Sequence, residues 1–383
     1  MNNKQINREL PHVCFVAPAL YPLMCGGGQI QEVGGAEVQQ YHIIRFLLQK
    51  GYRVSVVSLD YGQPEGYDSH GAIFYKSYKR YDGIPVLRFF HPRMTSTWQA
   101  LKRAGADIYY QRNAGVSTGL TAAFCRRYGK KFIYAGAHDT DFMPGKQLIQ
   151  FWRDRKIYEY GLKNADAVVV QNEAQQTLCK RNYGMDSLLI PSIYRPLSIG
   201  QTEKDIDVLW VATVKEWKRP QLFLDLARIL PNRRFVMVGG PPVPTANSAQ
   251  YFDGIRHSAS LLPNVEFLGF LPFEKTETYF DRAKLFMNTS EKEGMPNTFL
   301  QSWARKIPTL SYFVPQISGT ESNPIIAINS VAEAGAEVEN LLGNEELRIE
   351  RGNICHDYYQ RHHSGKETIM AYEELFANLT TAL

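Results

Sequence analysis

The sequence predicts an α/β protein made of two doubly wound units of parallel strands and helices. Short continuous apolar runs recur along it, and such runs mark strands buried on both faces of a parallel sheet. The first run leads into glycines and then a helical pattern, the β–loop–α–β order of a doubly wound unit. Past the middle of the chain the whole pattern restarts. At 383 residues, the length suits two or three domains with ample buried cores.

Taken in order, Val13-Cys-Phe-Val-Ala17 is the first strand. Gly26, Gly27 and Gly28 follow, then Gly34-Gly35-Ala36-Glu37. A helix opens there: Val38, Tyr41, Ile44, Leu47 and Leu48 recur at helical spacing, and Gly51 stops it. Val54-Ser-Val-Val-Ser-Leu59 is the next strand. Further buried strands fit residues 107–110, 131–134 and 167–170, and residues 86–90 are read as one more. Asn172-Glu173, just after the last of these, reads as a helix cap. Residues 191–204 are polar and turn-rich and are expected to link a first domain over 1–195 to a second over 205–365. In the second half, residues 208–212 are a strand, 222–230 an amphipathic helix and 235–240 a strand ending in glycines. Pro241-Pro-Val-Pro244 is a loop, and strands at 265–268, 285–287 and 309–310 continue the series. The tail is helical, anchored by Leu341, Leu342, Ile349, Tyr372 and Leu375, with residues 366–383 expected to pack back on the first domain. Two such halves are expected to face each other across a cleft, a common place for a ligand.

The segment that says most about chemistry is Ser290-Glu-Lys-Glu-Gly-Met-Pro-Asn-Thr-Phe-Leu-Gln-Ser-Trp303. It follows an apolar strand-like run and opens with a turn carrying Glu293 and Gly294. Pro296 suits the first turn of a helix, where its missing N–H costs nothing. The amides of Met295, Asn297 and Thr298 would then point out of a helix N-terminus, where the macrodipole favours a phosphate. An acid beside a diphosphate repels it unless the acid accepts hydrogen bonds from sugar hydroxyls. The combination therefore points to a nucleotide-sugar site. Ser290 to Glu293 also fits a local capping box, but Gly294, Pro296 and the restarted α/β pattern favour the functional reading.

Composition narrows the field. Hydrophobic residues are 44% and charged residues 21%, which fits a globular chain rather than a disordered one. A net charge of +5 is too small to argue for nucleic acid. The five cysteines, Cys14, Cys25, Cys125, Cys179 and Cys355, are scattered. They form no Cys-x-x-Cys or Cys/His cluster, which speaks against a disulfide framework and a structural zinc site. The first ten residues lack an apolar signal core, and no run approaches the ~20 apolar residues of a spanning helix. The expectation is a cytoplasmic protein. Lys76, Lys79, Arg80, Arg88, Arg93, Lys102 and Arg103 interleave with Tyr75, Tyr78, Tyr81 and Trp98. This is either a solvated face or a basic-aromatic patch that touches the inner face of the cell membrane, or a lipid diphosphate acceptor.

On these residues the chain resembles the retaining glycosyltransferases of family 4, which have the GT-B fold. The resemblance covers most of the chain and is strongest over residues 208–310. The family motif is a Glu, then a Gly-x-Pro-Asn-like turn, then a second Glu eight residues on. Here it aligns with Glu293-Gly-Met-Pro-Asn-Thr-Phe-Leu-Gln301, so Gln301 stands where the family has its ribose-binding acid. Gln keeps an acceptor oxygen but adds donors. Trp210 to Pro220 matches the diphosphate grip, with Lys218 on the lysine position and Thr213 where the family has Arg. Arg219 and Lys215 are candidate replacements for that lost cation. Gly34-Gly35 matches the family's first-domain glycine loop, and His138-Asp139 its His-Asp pair near the transferred sugar.

The resemblance implies transfer of a sugar from a nucleotide-diphosphate sugar to an acceptor hydroxyl with retention, in polysaccharide or lipid-linked glycan synthesis. It implies that Glu293 orients the sugar, that His138 contacts its O6 side, and that Lys218 with the amides near Pro296 holds the departing diphosphate. Gly269, Phe270 and Leu271 would face the base. No dedicated nucleophile is assigned. No Asp-x-Asp motif is present, so neither metal nor cofactor is expected. Three rivals stand beside this reading. A GT-B epimerase or hydrolase of nucleotide sugars would use the same donor site. A dinucleotide-dependent dehydrogenase would explain the glycine loop and use Asp60, but not the second half. A non-catalytic nucleotide-sugar-binding protein would suit Thr213 and Gln301.

Overall fold

A computed structural model describes residues 10–26, 34–84, 87–200, 202–241, 246–317 and 323–381. They divide into two units. Residues 10–26, 34–191 and 367–381 belong to the first, and the described part of 192–366 to the second. The expected linker is no free tether: Ile193 and Tyr194 are fully buried in the second unit.

The first unit is an eight-stranded sheet in the order β3-β4-β2-β1-β5-β6-β7-β8. Its strands are β1 (Val13–Val16), β2 (Val54–Ser58), β3 (Tyr67–Ser69), β4 (Ala72–Lys76), β5 (Ile108–Arg112), β6 (Lys131–Ala135), β7 (Ala167–Val170) and β8 (Leu188–Leu189). Only β3 runs antiparallel. Every residue of β1, β2 and β5 is buried, which is why these segments read as apolar runs rather than alternating ones. The helices are α1 (Tyr21–Cys25), α2 (Gly35–Gln49), α3 (Thr95–Ala104), α4 (Val116–Tyr128), α5 (Trp152–Lys163) and α6 (Glu173–Tyr183). Asn172 caps α6 by accepting from the Gln175 amide at 2.8 Å. Helices α4 and α5 cross at two glycines. A Cβ on Gly119 would meet the Ile157 carbonyl at 2.2 Å, and one on Gly161 would meet the Gly119 nitrogen at 2.5 Å.

One sequence expectation fails here. Residues 87–90 are not a strand: Leu87–Phe89 forms a 3-10 turn, and Phe90–Met94 is a turn kinked at His91 (φ −129°, ψ 125°) that runs into α3; Val86 lies outside the described residues, as do Gly27, Gly28 and 242–244. The β3–β4 hairpin occupies the edge of the sheet instead. Leu87 and Phe90 are left 57% and 61% exposed, so their apolar character marks surface rather than core.

The second unit is a parallel sheet of six strands in the order β11-β10-β9-β12-β13-β14. These are β9 (Ile206–Val211), β10 (Phe235–Val238), β11 (Val265–Gly269), β12 (Ala283–Asn288), β13 (Thr309–Ser311) and β14 (Ile325–Ala327). Counted from β9, that is the 3-2-1-4-5-6 order of dinucleotide-binding sheets, whose ligand crevice lies where the order reverses. Here the reversal falls between β9 and β12. The helices are α7 (Pro220–Ile229), α8 (Ala246–Ser260), α9 (Phe273–Arg282), α10 (Asn297–Trp303), α11 (Val331–Gly343) and α12 (Glu345–His362). Trp210 and Trp303, both fully buried, anchor the cores on the two faces of this sheet. The last helix, α13 (Lys366–Thr381), packs on the first unit, where Tyr372 meets Tyr110 hydroxyl to hydroxyl at 3.2 Å and Glu373 pairs with Lys50 at 3.3 Å.

Candidate functional site

Two loops leave the carboxyl ends of β9 and β12 at the reversal and are stitched together. The Thr289 hydroxyl donates to the Lys218 carbonyl at 2.5 Å and accepts from the Trp210 indole at 2.9 Å. The Glu291 amide donates to the Trp217 carbonyl at 3.0 Å. Arg219 adopts a left-handed φ of 46°, unfavourable for a side chain with a Cβ. Its guanidinium holds the Thr289 and Ser290 carbonyls at 2.7 and 3.0 Å. Arg219, one of the two candidate replacements for the cation missing at Thr213, therefore braces the site through two of its guanidinium nitrogens. Gly239 ends β10 where a Cβ would meet the Ala212 carbonyl at 1.9 Å, so only glycine lets the β9 loop pass.

Glu293 is the centre of this construction. Its Oε1 accepts from the Ser290 hydroxyl at 2.5 Å and from the Asn288 amide at 3.1 Å, and it pairs with Lys218 Nζ at 2.6 Å. Among the described residues all three donors meet the same oxygen, which leaves Oε2 for a ligand. Lys218 also lies 4.2 Å from the centre of the Trp217 ring. Burial lowers the Lys218 pKa, and the Glu293 carboxylate opposes the shift. The Ser290–Glu293 bond is side chain to side chain and starts no helix, so these residues do not form a capping box. Sequence reasoning missed Asn288, whose only signal was its place at the end of a buried strand, and weighed Ser290 only as part of a capping box.

Helix α10 begins at Asn297, with Pro296 as its N-cap rather than inside its first turn, and no side chain caps it. The reason is that Pro296 keeps an extended ψ of 131°. Gly294 has open space where a Cβ would lie, so packing does not demand a glycine there. Met295 is partly buried against the core, and Thr298 accepts from the Ser302 hydroxyl through its carbonyl at 2.8 Å. Thr213 is exposed beyond β9.

Gln301 is placed differently from its expected role at a ribose. It is 4% exposed and its amide donates to Glu277 Oε1 at 2.6 Å. Glu277 also accepts from Tyr194 and from Arg305, the latter at 2.8 Å, and Arg305 reaches Asp281 at 2.6 Å. The amide is thus committed to a buried ionic network joining α9 to α10. The family's glutamate at this position would set two carboxylates against each other.

In the first unit, Gly34 is the N-cap of α2, its amide held by Glu37 Oε2 at 3.1 Å, and Gly35 is the first helical residue. Burial raises the Glu37 pKa. His138 caps the short turn Asp139–Phe142, with Nδ1 accepting from the Thr140 amide at 3.4 Å. In the neutral ring that bond leaves the proton on Nε2. Asp141 is buried below, accepting from the Ala137 and His138 amides at 2.8 and 3.1 Å. Asp60, the acid a dehydrogenase would need, instead accepts from the Gly62 amide at 2.8 Å.

Two doubly wound parallel-sheet units make up the GT-B fold, and the second carries a Lys–Glu pair at its switch point. Residues 33–199 match Glycosyltransferase Family 4 and residues 205–344 match Glycosyl transferases group 1. The chain belongs to glycosyltransferase family 4. It is 20% identical over 310 residues to a phosphatidylinositol N-acetylglucosaminyltransferase component from Arabidopsis thaliana, covering 77% of this chain and 67% of that protein. Among solved structures, sucrose-phosphate synthase from Thermosynechococcus elongatus superposes with a TM-score of 0.76 at 14% identity, covering 97% of this chain and 100% of that one. Anabaena HepE, solved with UDP and glucose, superposes with a TM-score of 0.65 at 13% identity over the same shares. Among the described residues no helix is long and apolar enough to cross a membrane.

Proposed function

We propose that this protein transfers a sugar, with retention, from a nucleotide-diphosphate sugar to a hydroxyl of a glycan or lipid-linked glycan. The observation that carries the reading is the Lys218–Glu293 pair at the switch point of the second sheet. The sugar–phosphate bond breaks as the acceptor oxygen bonds to the anomeric carbon, and the acceptor proton passes to the departing phosphate. Lys218 and the amides of Met295, Asn297 and Thr298 take up the growing negative charge. Gly294 lets the donor approach the backbone. Glu293 holds sugar hydroxyls through its open oxygen and orients the ring. His138 Nε2–H is assigned a sugar hydroxyl on the family resemblance. No step calls for a metal. The named relatives support the donor class: HepE was solved with UDP, and the Arabidopsis protein is named for N-acetylglucosaminyl transfer to a lipid.

The test is a thermal-shift panel with UDP, GDP, ADP, CMP and NAD, since a ligand of the folded state raises stability as ln(1 + [L]/Kd). One nucleoside diphosphate should stabilise the wild type and lose its effect in Lys218→Ala. Glu293→Ala should lower turnover by roughly a hundredfold or more, the scale of a lost transition-state contact, with the fold intact. A shift with NAD alone, or near-normal transfer by Glu293→Ala, would overturn the reading.

A further inference from the structure

The first unit carries an apolar groove that the donor chemistry does not use. It runs over the α4–α5 crossing, has a volume of about 640 Å³, and is lined by Trp98, Leu120, Ala123, Trp152, Ile157 and Tyr160 among others. Trp152 is 75% exposed at its rim beside the exposed Phe151, and Leu87 and Phe90 are exposed just before Met94, which also lines the groove. Arg153 and Lys156 also line it. Both are paired, Arg153 with Asp154 at 2.8 Å and Lys156 with Glu159 at 3.0 Å, so the groove itself offers a large apolar surface that suits a hydrocarbon chain.

A second cavity lies beside the groove. Met94 and Leu120 also line this second, more polar cavity of about 110 Å³. Val16 and Pro18 from the carboxyl end of β1 bound it, as do Val116 and Ser117 from the start of α4. The order of the first sheet reverses between β1 and β5, so this cavity lies where such sheets bind ligands. Arg93 lines it, and the Arg93 Nε is buried with no hydrogen-bond partner. The acid in its wall, Asp154, is already paired with Arg153 at 2.8 Å. An apolar groove thus lies against a polar cavity at the carboxyl end of β1, where the Arg93 Nε has no hydrogen-bond partner.

We propose that this groove binds the hydrocarbon chain of a lipid-linked acceptor, with the lipid's phosphate at Arg93. The proposal rests on the transferase reading, because only that reading calls for an acceptor. The probe is dodecyl phosphate below its micelle concentration, compared with octyl, butyl and inorganic phosphate, and read by tryptophan fluorescence and calorimetry on the full chain. Affinity should rise roughly threefold to fourfold per added methylene, as for burial of hydrocarbon. Ala123→Phe, which fills the groove, should weaken dodecyl phosphate at least tenfold; if that variant does not fold, the exposed Trp152→Ser should weaken it in the same direction. Arg93→Met should weaken every phosphate while keeping the chain-length slope. A flat chain-length series, or undiminished binding in Ala123→Phe, would overturn the proposal. So would sedimentation with anionic vesicles without binding of the monomeric probe, which would assign the surface to the bilayer itself. The nucleoside diphosphate shift is read in the same samples. Its persistence beside a failed lipid series rejects the groove alone, and its absence rejects the transferase reading.

Discussion

Three donors converging on one oxygen of Glu293 make its orientation a property of its neighbours. Ser290→Ala removes the 2.5 Å contact but leaves Lys218 in place. Turnover should fall roughly tenfold to a hundredfold, the cost of a misplacement near the chemistry, with donor KM little changed; steady-state kinetics check this. Gln301 permits a second test. Gln301→Glu restores the family's acid but places a carboxylate against Glu277, 2.6 Å from the present amide. Like charges at that distance force one group to keep a proton. The variant should lose about 1–3 kcal/mol at pH 7, the usual cost of breaking a buried polar pair, and recover part of it at pH 5, where the new carboxyl, raised by its neighbour, is protonated. Urea denaturation at both values decides. Motif spacing singled out Glu293 and Lys218 as candidates but could not show their contact, which depends on two loops about 70 residues apart in the chain. The partner of Gln301 was illegible for the same reason: Glu277 is 24 residues away on another helix.

At the scale of elements, the buried parallel strands were legible because both faces are covered, so nothing interrupts their apolar runs. The short edges were not. Strand β8 is two exposed leucines and β3 is three mixed residues, too little pattern to separate from loop. The reverse error occurred at residues 87–90, where apolar side chains face outward. Glycine carried more information than its loop role suggested. Gly119 sits where α4 meets α5, and Gly119→Val should cost about 1–3 kcal/mol or more, as overpacking does, because the obstacle is the Ile157 backbone rather than a flexible side chain. A lowered thermal midpoint with unchanged nucleotide stabilisation would confine the damage to the first unit.

For the molecule as a whole, acid sensitivity follows from buried histidines in each unit. His42 in the first is held at about 3 and His363 in the second at about 4, in both cases chiefly by burial. His363 Nδ1 donates to the Ser192 carbonyl at 2.6 Å, a bond that opposes the shift, but burial outweighs it and keeps the ring neutral. The unfolded chain takes up protons near 6.5, while the folded chain does not until these lower values. The unfolded state therefore binds more protons in between, and stability falls as pH falls. Each histidine should cost about 2 kcal/mol between pH 7 and pH 5. Urea midpoints across that range should drop, and His363→Gln should flatten roughly half of the slope.

The path of the chain bears on its birth as well as its architecture. It leaves the first unit at residue 191 and returns to it only at 367, and Tyr372 and Phe376 of that returning helix are buried against Tyr110 and Tyr52. On the ribosome, domains ordinarily fold as they emerge, the earliest first. Here the half made first must wait, its surface for α13 uncovered, until the other half has been synthesised. The part begun first is completed last, and for that interval it is the half exposed to misassociation.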